Sequence, residues 1–173
     1  MPVTTGNANV THAFQTKVAT GYLTPVTVNF AINNSVNYTV SGTGDGQVDL
    51  PFGMPVTLTG AAQTFDLTAM TDQIGVVRNF ARVREFVIYN TDTTAGHQVN
   101  IYRASSNGWN FLPTATSPMV LTIDGGQILL RDPHSTGSGV GLVTSTNSRT
   151  FTLDPGANTV TVNILIMGCS AVS

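Results

Sequence analysis

Val83-Arg84-Glu85-Phe86-Val87-Ile88-Tyr89 is apolar on both faces through its second half, so it reads as a strand covered on two sides, at the centre of a sheet. Neighbours for it are plentiful. Val26, Val28, Phe30 and Ile32 alternate with polar residues, the two-residue period of a half-buried strand. Val36 to Val40 repeats the pattern, and Asn33-Asn34-Ser35 between the two runs suits a hairpin turn. Further strands are expected at Gln47–Leu50, Thr57–Thr59, Thr64–Leu67, Gln98–Tyr102, Met119–Ile123, Gln127–Arg131, Val140–Thr144, Arg149–Leu153 and Thr159–Met167. Turn chemistry separates them at Thr93-Thr94-Ala95-Gly96, Asp124-Gly125-Gly126, Asp132-Pro133-His134-Ser135-Thr136-Gly137 and Asp154-Pro155-Gly156. Pro51 and Pro55 bracket a loop or a sheet edge, because proline cannot donate to a ladder on both sides. Thr71 to Gly75 reads as a connection with at most one helical turn.

Composition points the same way. Charged residues make up 9% of the 173-residue chain, with one lysine, Lys17, and one glutamate, Glu85. The strong helix formers are therefore scarce, while β-branched Thr and Val dominate. Short strands at regular spacing predict an all-β fold, an antiparallel β-sandwich of jelly-roll-like type. Residues 1–22 are less regular and read as an extended N-terminal arm, leaving 23–173 as the sandwich domain. Hydrophobic residues at 41% exclude a disordered chain.

A net charge of −2 removes the positive footprint that nucleic-acid binding requires. No apolar run reaches the roughly 20 residues of a membrane span, and the N-terminus shows no signal-peptide pattern. Arg78, Arg82 and Arg84 cluster beside Glu85, as a strand border with a local ion pair or, alternatively, a phosphate site. Cys169 stands alone, so neither an intrachain disulfide nor a thiolate metal site is available, and it reads as a small hydrophobe at a strand end.

Candidate chemistry is thin. His12, His97 and His134 are far apart, and none pairs with another histidine or a carboxylate at ligand spacing. Asp132, His134 and Ser135 are too close in sequence for an acid, base and nucleophile in line, and read as a turn. Gly137-Ser138-Gly139-Val140-Gly141 lacks the helix and lysine of a phosphate loop. Asp45 and Asp49 suit a hairpin turn better than a calcium site, and Asp92 lies in another polar turn. Trp109 with Tyr102, Asn107 and Asn110 offers an aromatic surface flanked by amides, of the kind that stacks on a sugar ring. Yet Gly108 to Pro113 alternates like a short strand with Trp109 and Phe111 on one side, which favours a core or subunit-contact role. No catalytic, cofactor-binding or metal-binding set emerges, so a non-enzymatic protein is expected.

Three segments carry a family resemblance: Arg82 to Thr91, a central strand ending in Asn; Asp124 to Pro133, a Gly-Gly turn before an apolar strand that breaks at Asp-Pro; and Val160 to Ala171, a terminal strand closing in Gly-Cys-Ser-Ala. Over roughly residues 57–173 the chain resembles small β-sandwich virion proteins of tailed bacteriophages. The resemblance implies a capsid or tail component, foremost a head decoration (cement) protein that clamps major capsid subunits as a homotrimer, made in the host cytoplasm and resident in the virion. A tail-tube or fibre subunit and a carbohydrate-binding or adhesion module are the alternatives. Scarce Lys and Glu also fit a surface covered by partners.

Overall fold

A computed structural model of the chain describes residues 6–18, 26–40, 42–44, 47–72, 75–116, 120–131 and 141–172, with the side chains of 6–18, 26–40, 127 and 129–131 outside the description. Two compact units form, Met1–Val40 and Ser41–Ser173. In the first, β1 (Gly6–Val18) pairs antiparallel with β2 (Val26–Val40), from Gly6 opposite Tyr38 to Val18 opposite Val26. The turn expected at Asn33-Asn34-Ser35 is instead continuous strand, opposite Thr11, Val10 and Asn9. A partner of matching length satisfies the backbone there, and that outweighs the turn preference of three short polar residues. The two paired strands lie on either side of the boundary expected at residue 22; the units themselves divide after Val40.

The second unit is an all-β sandwich. Its strands are β3 (Gln47–Val48), β4 (Leu50–Thr59), β5 (Gln63–Asp66), β6 (Met70–Thr71), β7 (Val77–Arg78), β8 (Arg82–Asn90), β9 (Gln98–Arg103), β10 (Leu121–Asp124), β11 (Gly126–Arg131), β12 (Thr150–Asp154) and β13 (Thr159–Cys169). One sheet has the order β11-β8-β13-β4 and the other β10-β9-β12-β5, with every pairing antiparallel. No helix occurs among the described residues. The chain changes sheets at β4 to β5, β8 to β9, β10 to β11, β11 to β12 and β12 to β13, so each sheet is assembled from distant segments.

Strand β8 is central, as its apolar run requires, between β11 and β13. Strand β4 is an edge, and it carries both prolines: Pro51 stands opposite Met167 and Pro55 opposite Asn163. Four residues apart, they lack N–H groups that would point the same way, so the open side of the edge absorbs both losses. Inward-facing Phe86, Ile88, Val99, Ile101, Phe151, Leu153, Ile164 and Ile166 are fully buried and join the two sheets in one core.

A β-bulge interrupts β8. Met167 faces Glu85 and Gly168 faces Val83, which leaves Arg84 as the extra residue. Gly168 is obligatory at this point, because a Cβ there would sit 2.3 Å from the Arg82 carbonyl oxygen and 2.6 Å from the Phe80 ring.

The connection expected after Thr71 joins β6 to β7, and Asp72 accepts the Gly75 and Val76 amides there, through its backbone carbonyl (3.0 Å) and side chain (2.9 Å). Two local expectations change. Within the expected strand 140–144, residues 141–144 form isolated bridges, Leu142 to Arg82 and Thr144 to Ser148. Gly108 to Pro113 is a loop, folded over by the hydrogen bond from Leu112 N–H to the Trp109 carbonyl at 3.0 Å.

Candidate functional site

The outward face of the β10-β9-β12-β5 sheet carries an open groove of about 680 Å³. Its floor is a single cross-strand row. Thr152 on β12 stands opposite both Thr64 on β5 and Tyr102 on β9. Their neighbours Phe65, Phe151 and Ile101 point inward to the core, so strand alternation turns these three polar residues outward. Thr64 and Thr152 join their hydroxyls at 3.0 Å, and Tyr102 donates its hydroxyl to Asp154 Oδ2 at 3.3 Å. Desolvation, followed by the charge of Asp154, raises the Tyr102 pKa above 10, so the ring stays a neutral phenol at physiological pH.

The walls come from the loop after β9 and from the turn before β12. Asn107, Gly108 and Asn110 line one side with Arg103, and Thr114, Ala115, Thr116 and Asn147 contribute to the rim. The loop is held from below by Trp109, whose indole is 1% exposed and donates from Nε1 to the Leu142 carbonyl at 3.2 Å. Trp109 N–H donates to Thr150 O at 2.7 Å, while Arg149 N–H and Thr150 N–H both donate to Asn107 O. Gly108 fits against β9 because a Cβ there would meet Ala104 O at 2.2 Å. Asn107 takes a positive φ of 52°, a conformation asparagine tolerates better than most residues. Arg103 is the one charged residue among the described residues lining the groove, and it donates to Asn110 Oδ1 at 3.2 Å.

Of the aromatic-and-amide set read from the sequence, Tyr102, Asn107 and Asn110 converge here, and Trp109 does not. Trp109 faces the core against Phe86 (centroids 5.4 Å apart) and Phe111 (5.0 Å). Thr64, Thr152 and Asn147 are the members the sequence did not indicate. Strand register brings Thr64 and Thr152 together, and the turn before β12 adds Asn147.

Histidine 97 does have a carboxylate. His97 Nδ1 lies 2.8 Å from Asp92 Oδ2, a pairing the sequence reading did not anticipate. Asp92 also accepts the Thr94 amide at 2.9 Å, and these bonds, the backbone one foremost, lower its pKa from 3.8 to about 2. The loop is anchored by Asn90 and Asn158, which donate to His97 O (2.9 Å) and Gly96 O (3.1 Å). This arrangement shapes a turn: two hydrogen bonds on one carboxylate, from Thr94 and His97, fix residues 92–97.

The arginine cluster divides. Arg78 pairs with Asp72 at 2.8 Å, whereas Arg82 and Arg84 are fully buried, Arg84 donating to Gly44 O at 2.9 Å. Buried guanidiniums held by the protein offer no open phosphate cradle. Cys169 closes β13 with no exposure, and burial raises its pKa, so it stays a thiol and donates to Gln47 O at 3.3 Å. Asp49 accepts both the backbone and the hydroxyl of Ser170. Among the described residues no group of three or more His, Cys, Asp or Glu converges. Asp45, Asp132, His134, Ser135 and 137–140 lie outside the described residues, as does the side chain of His12. Compared with known proteins, the chain matches no family model, no curated protein and no solved structure.

Proposed function

We propose that this chain is a non-enzymatic structural protein of a virion, a decoration protein that caps or clamps the capsid of a phage head as a homotrimer. The supporting observation is strand order. Two four-stranded sheets ordered β11-β8-β13-β4 and β10-β9-β12-β5, all antiparallel and with the chain crossing repeatedly between them, are read here as the two Greek keys of an eight-stranded jelly roll. Viral capsid and lectin domains use that architecture. The surface fits a protein that works covered. Tyr89 and Leu165, 43% and 48% exposed, are diagonal neighbours on the outward face of the β11-β8-β13-β4 sheet, with half-buried Val87 beside them. A single lysine and a single glutamate leave few charges to keep such a face solvated alone.

Mass spectrometry of density-banded particles from the organism that encodes the chain tests the reading. The expected result is this protein in fixed stoichiometry with a major capsid protein, and a trimer for the free protein in sedimentation. Fixed stoichiometry with tail proteins moves it to the tail tube or fibre. Absence from the particles overturns the proposal.

A further inference from the structure

We propose that the groove over β5, β9 and β12 is a binding site for a neutral saccharide of one or two rings, whether or not the chain belongs to a virion. Its volume of about 680 Å³ lies within the roughly 300–1,000 Å³ of small-ligand sites. The lining decides the chemistry. Asn107 makes no side-chain hydrogen bond among the described residues, and Asn110 and Asn147 each use only Oδ1, accepting from Arg103 and from Thr144. Unused amide donors, next to an amide with both donor and acceptor open, match the adjacent hydroxyls of a sugar, each of which donates and accepts. The Tyr102 ring supplies a face for the C–H surface of a pyranose, and its bond to Asp154 keeps the ring in place.

Competing ligands fit less well. Nucleic acid binding draws on several cations, and among the described residues the lining has Arg103 alone. Among the described lining residues, the large apolar surface for a peptide anchor is limited to alanine side chains and one tyrosine. The carboxylate of an acidic sugar meets a single guanidinium already engaged by Asn110, so an uncharged sugar is the better partner.

Saturation-transfer NMR on the full chain, with cellobiose, maltose, N,N′-diacetylchitobiose and the charged comparator 3′-sialyllactose, tests the assignment. At least one neutral disaccharide is expected to receive saturation on its ring protons. Tyr102→Ala and Asn147→Ala are each expected to weaken that binding by about tenfold, equivalent to ~1.4 kcal/mol. Tyr102→Phe retains the ring and is expected to keep most of it. Asn107→Asp, which tolerates the positive φ but removes the amide donors, is expected to lose binding with an unchanged near-ultraviolet circular dichroism spectrum. Thr122→Val, outside the lining, leaves binding as it was. No saturation on any neutral disaccharide overturns the proposal, as does binding of sialyllactose alone. Saturation that survives both Asn107→Asp and Tyr102→Ala places the sugar elsewhere and overturns the proposal too.

Discussion

The rings of Phe86 on β8 and Phe151 on β12 meet edge to face across the sandwich, their centroids 5.0 Å apart and their planes at 84°. Phe151 in turn stacks on Phe65 of its own sheet at 5.1 Å, and Phe86 meets Trp109 edge-on. Four aromatic residues thus link the centre of one sheet, two strands of the other, β12 and β5, and the loop that walls the groove. Pairs of this kind add about 0.5–1.5 kcal/mol beyond the area they bury.

Phe86→Ala should therefore cost about 3–5 kcal/mol, the range for emptying an aromatic site in a packed core. Phe86→Leu should cost less, because it refills part of the volume. Urea unfolding followed by far-ultraviolet circular dichroism measures both, and a loss under 1 kcal/mol for Phe86→Ala contradicts the central placement.

Gly168→Ala places a methyl against the Arg82 carbonyl and the Phe80 ring, in a bulge whose backbone partners are fixed. The expected loss is about 1–3 kcal/mol from overpacking. Gly53→Ala on the neighbouring edge strand, where the nearest atom is the Leu165 side chain at 3.5 Å, should be close to neutral. Comparing the two melting temperatures separates a bulge effect from a general intolerance of alanine.

Trp109 is the only tryptophan and is 1% exposed, so its fluorescence should be blue-shifted and protected from iodide. Trp109→Ala should lose about 3–5 kcal/mol, and it should also release the 104–110 loop. Amide exchange at Asn107 and Asn110 rising ahead of exchange in β12 would register that release. An emission maximum typical of exposed indole is incompatible with the described packing.

Asp92 should titrate in the folded protein with a midpoint about 2, against 3.8 for an unperturbed carboxyl. Its folded pKa is depressed, so its contribution to stability is present above about 3.8 and is lost as the pH falls through about 2. Carboxyl carbon shifts give the midpoint directly. Asp92→Asn should remove this acid-side dependence and loosen residues 92–97, and a midpoint near 3.8 would contradict the hydrogen bonds from Thr94 and His97.

A chain beginning at Ser41 should fold by itself, since the buried core of the second unit draws on residues from Val48 to Cys169. Its amide spectrum should reproduce that of the same residues in the full chain. Collapse of that spectrum would show that Met1–Val40 takes part in folding the sandwich.

The sequence by itself determined the strand content, the central place of Val83–Tyr89, the exclusion of Pro51 and Pro55 from a central strand and the reading of Cys169 as a small hydrophobe at a strand end. Each of these depends on local rules: side-chain alternation, β-branched propensity, and the missing proline donor. Local rules failed where a long-range partner outweighed them. Asn33-Asn34-Ser35 stays extended because β1 lies opposite, and Trp109 leaves the expected strand because its indole is drawn into the core against Phe86. The sequence grouped Tyr102, Asn107 and Asn110, three of the groove's lining residues, but the groove's floor was beyond its reach. Thr64, Tyr102 and Thr152 become one row only through the registers of β12 with β5 and β9, and the 88 positions from Thr64 to Thr152 carry no trace of that pairing. Asp92 and His97, five residues apart, were readable as a turn but not as a bonded pair, because the bond depends on how Asn90 and Asn158 hold the loop between two strands of different sheets. Strand propensity is set by each residue and its neighbours in the chain, whereas register is set by the burial of whole faces, and only the folded sandwich fixes that.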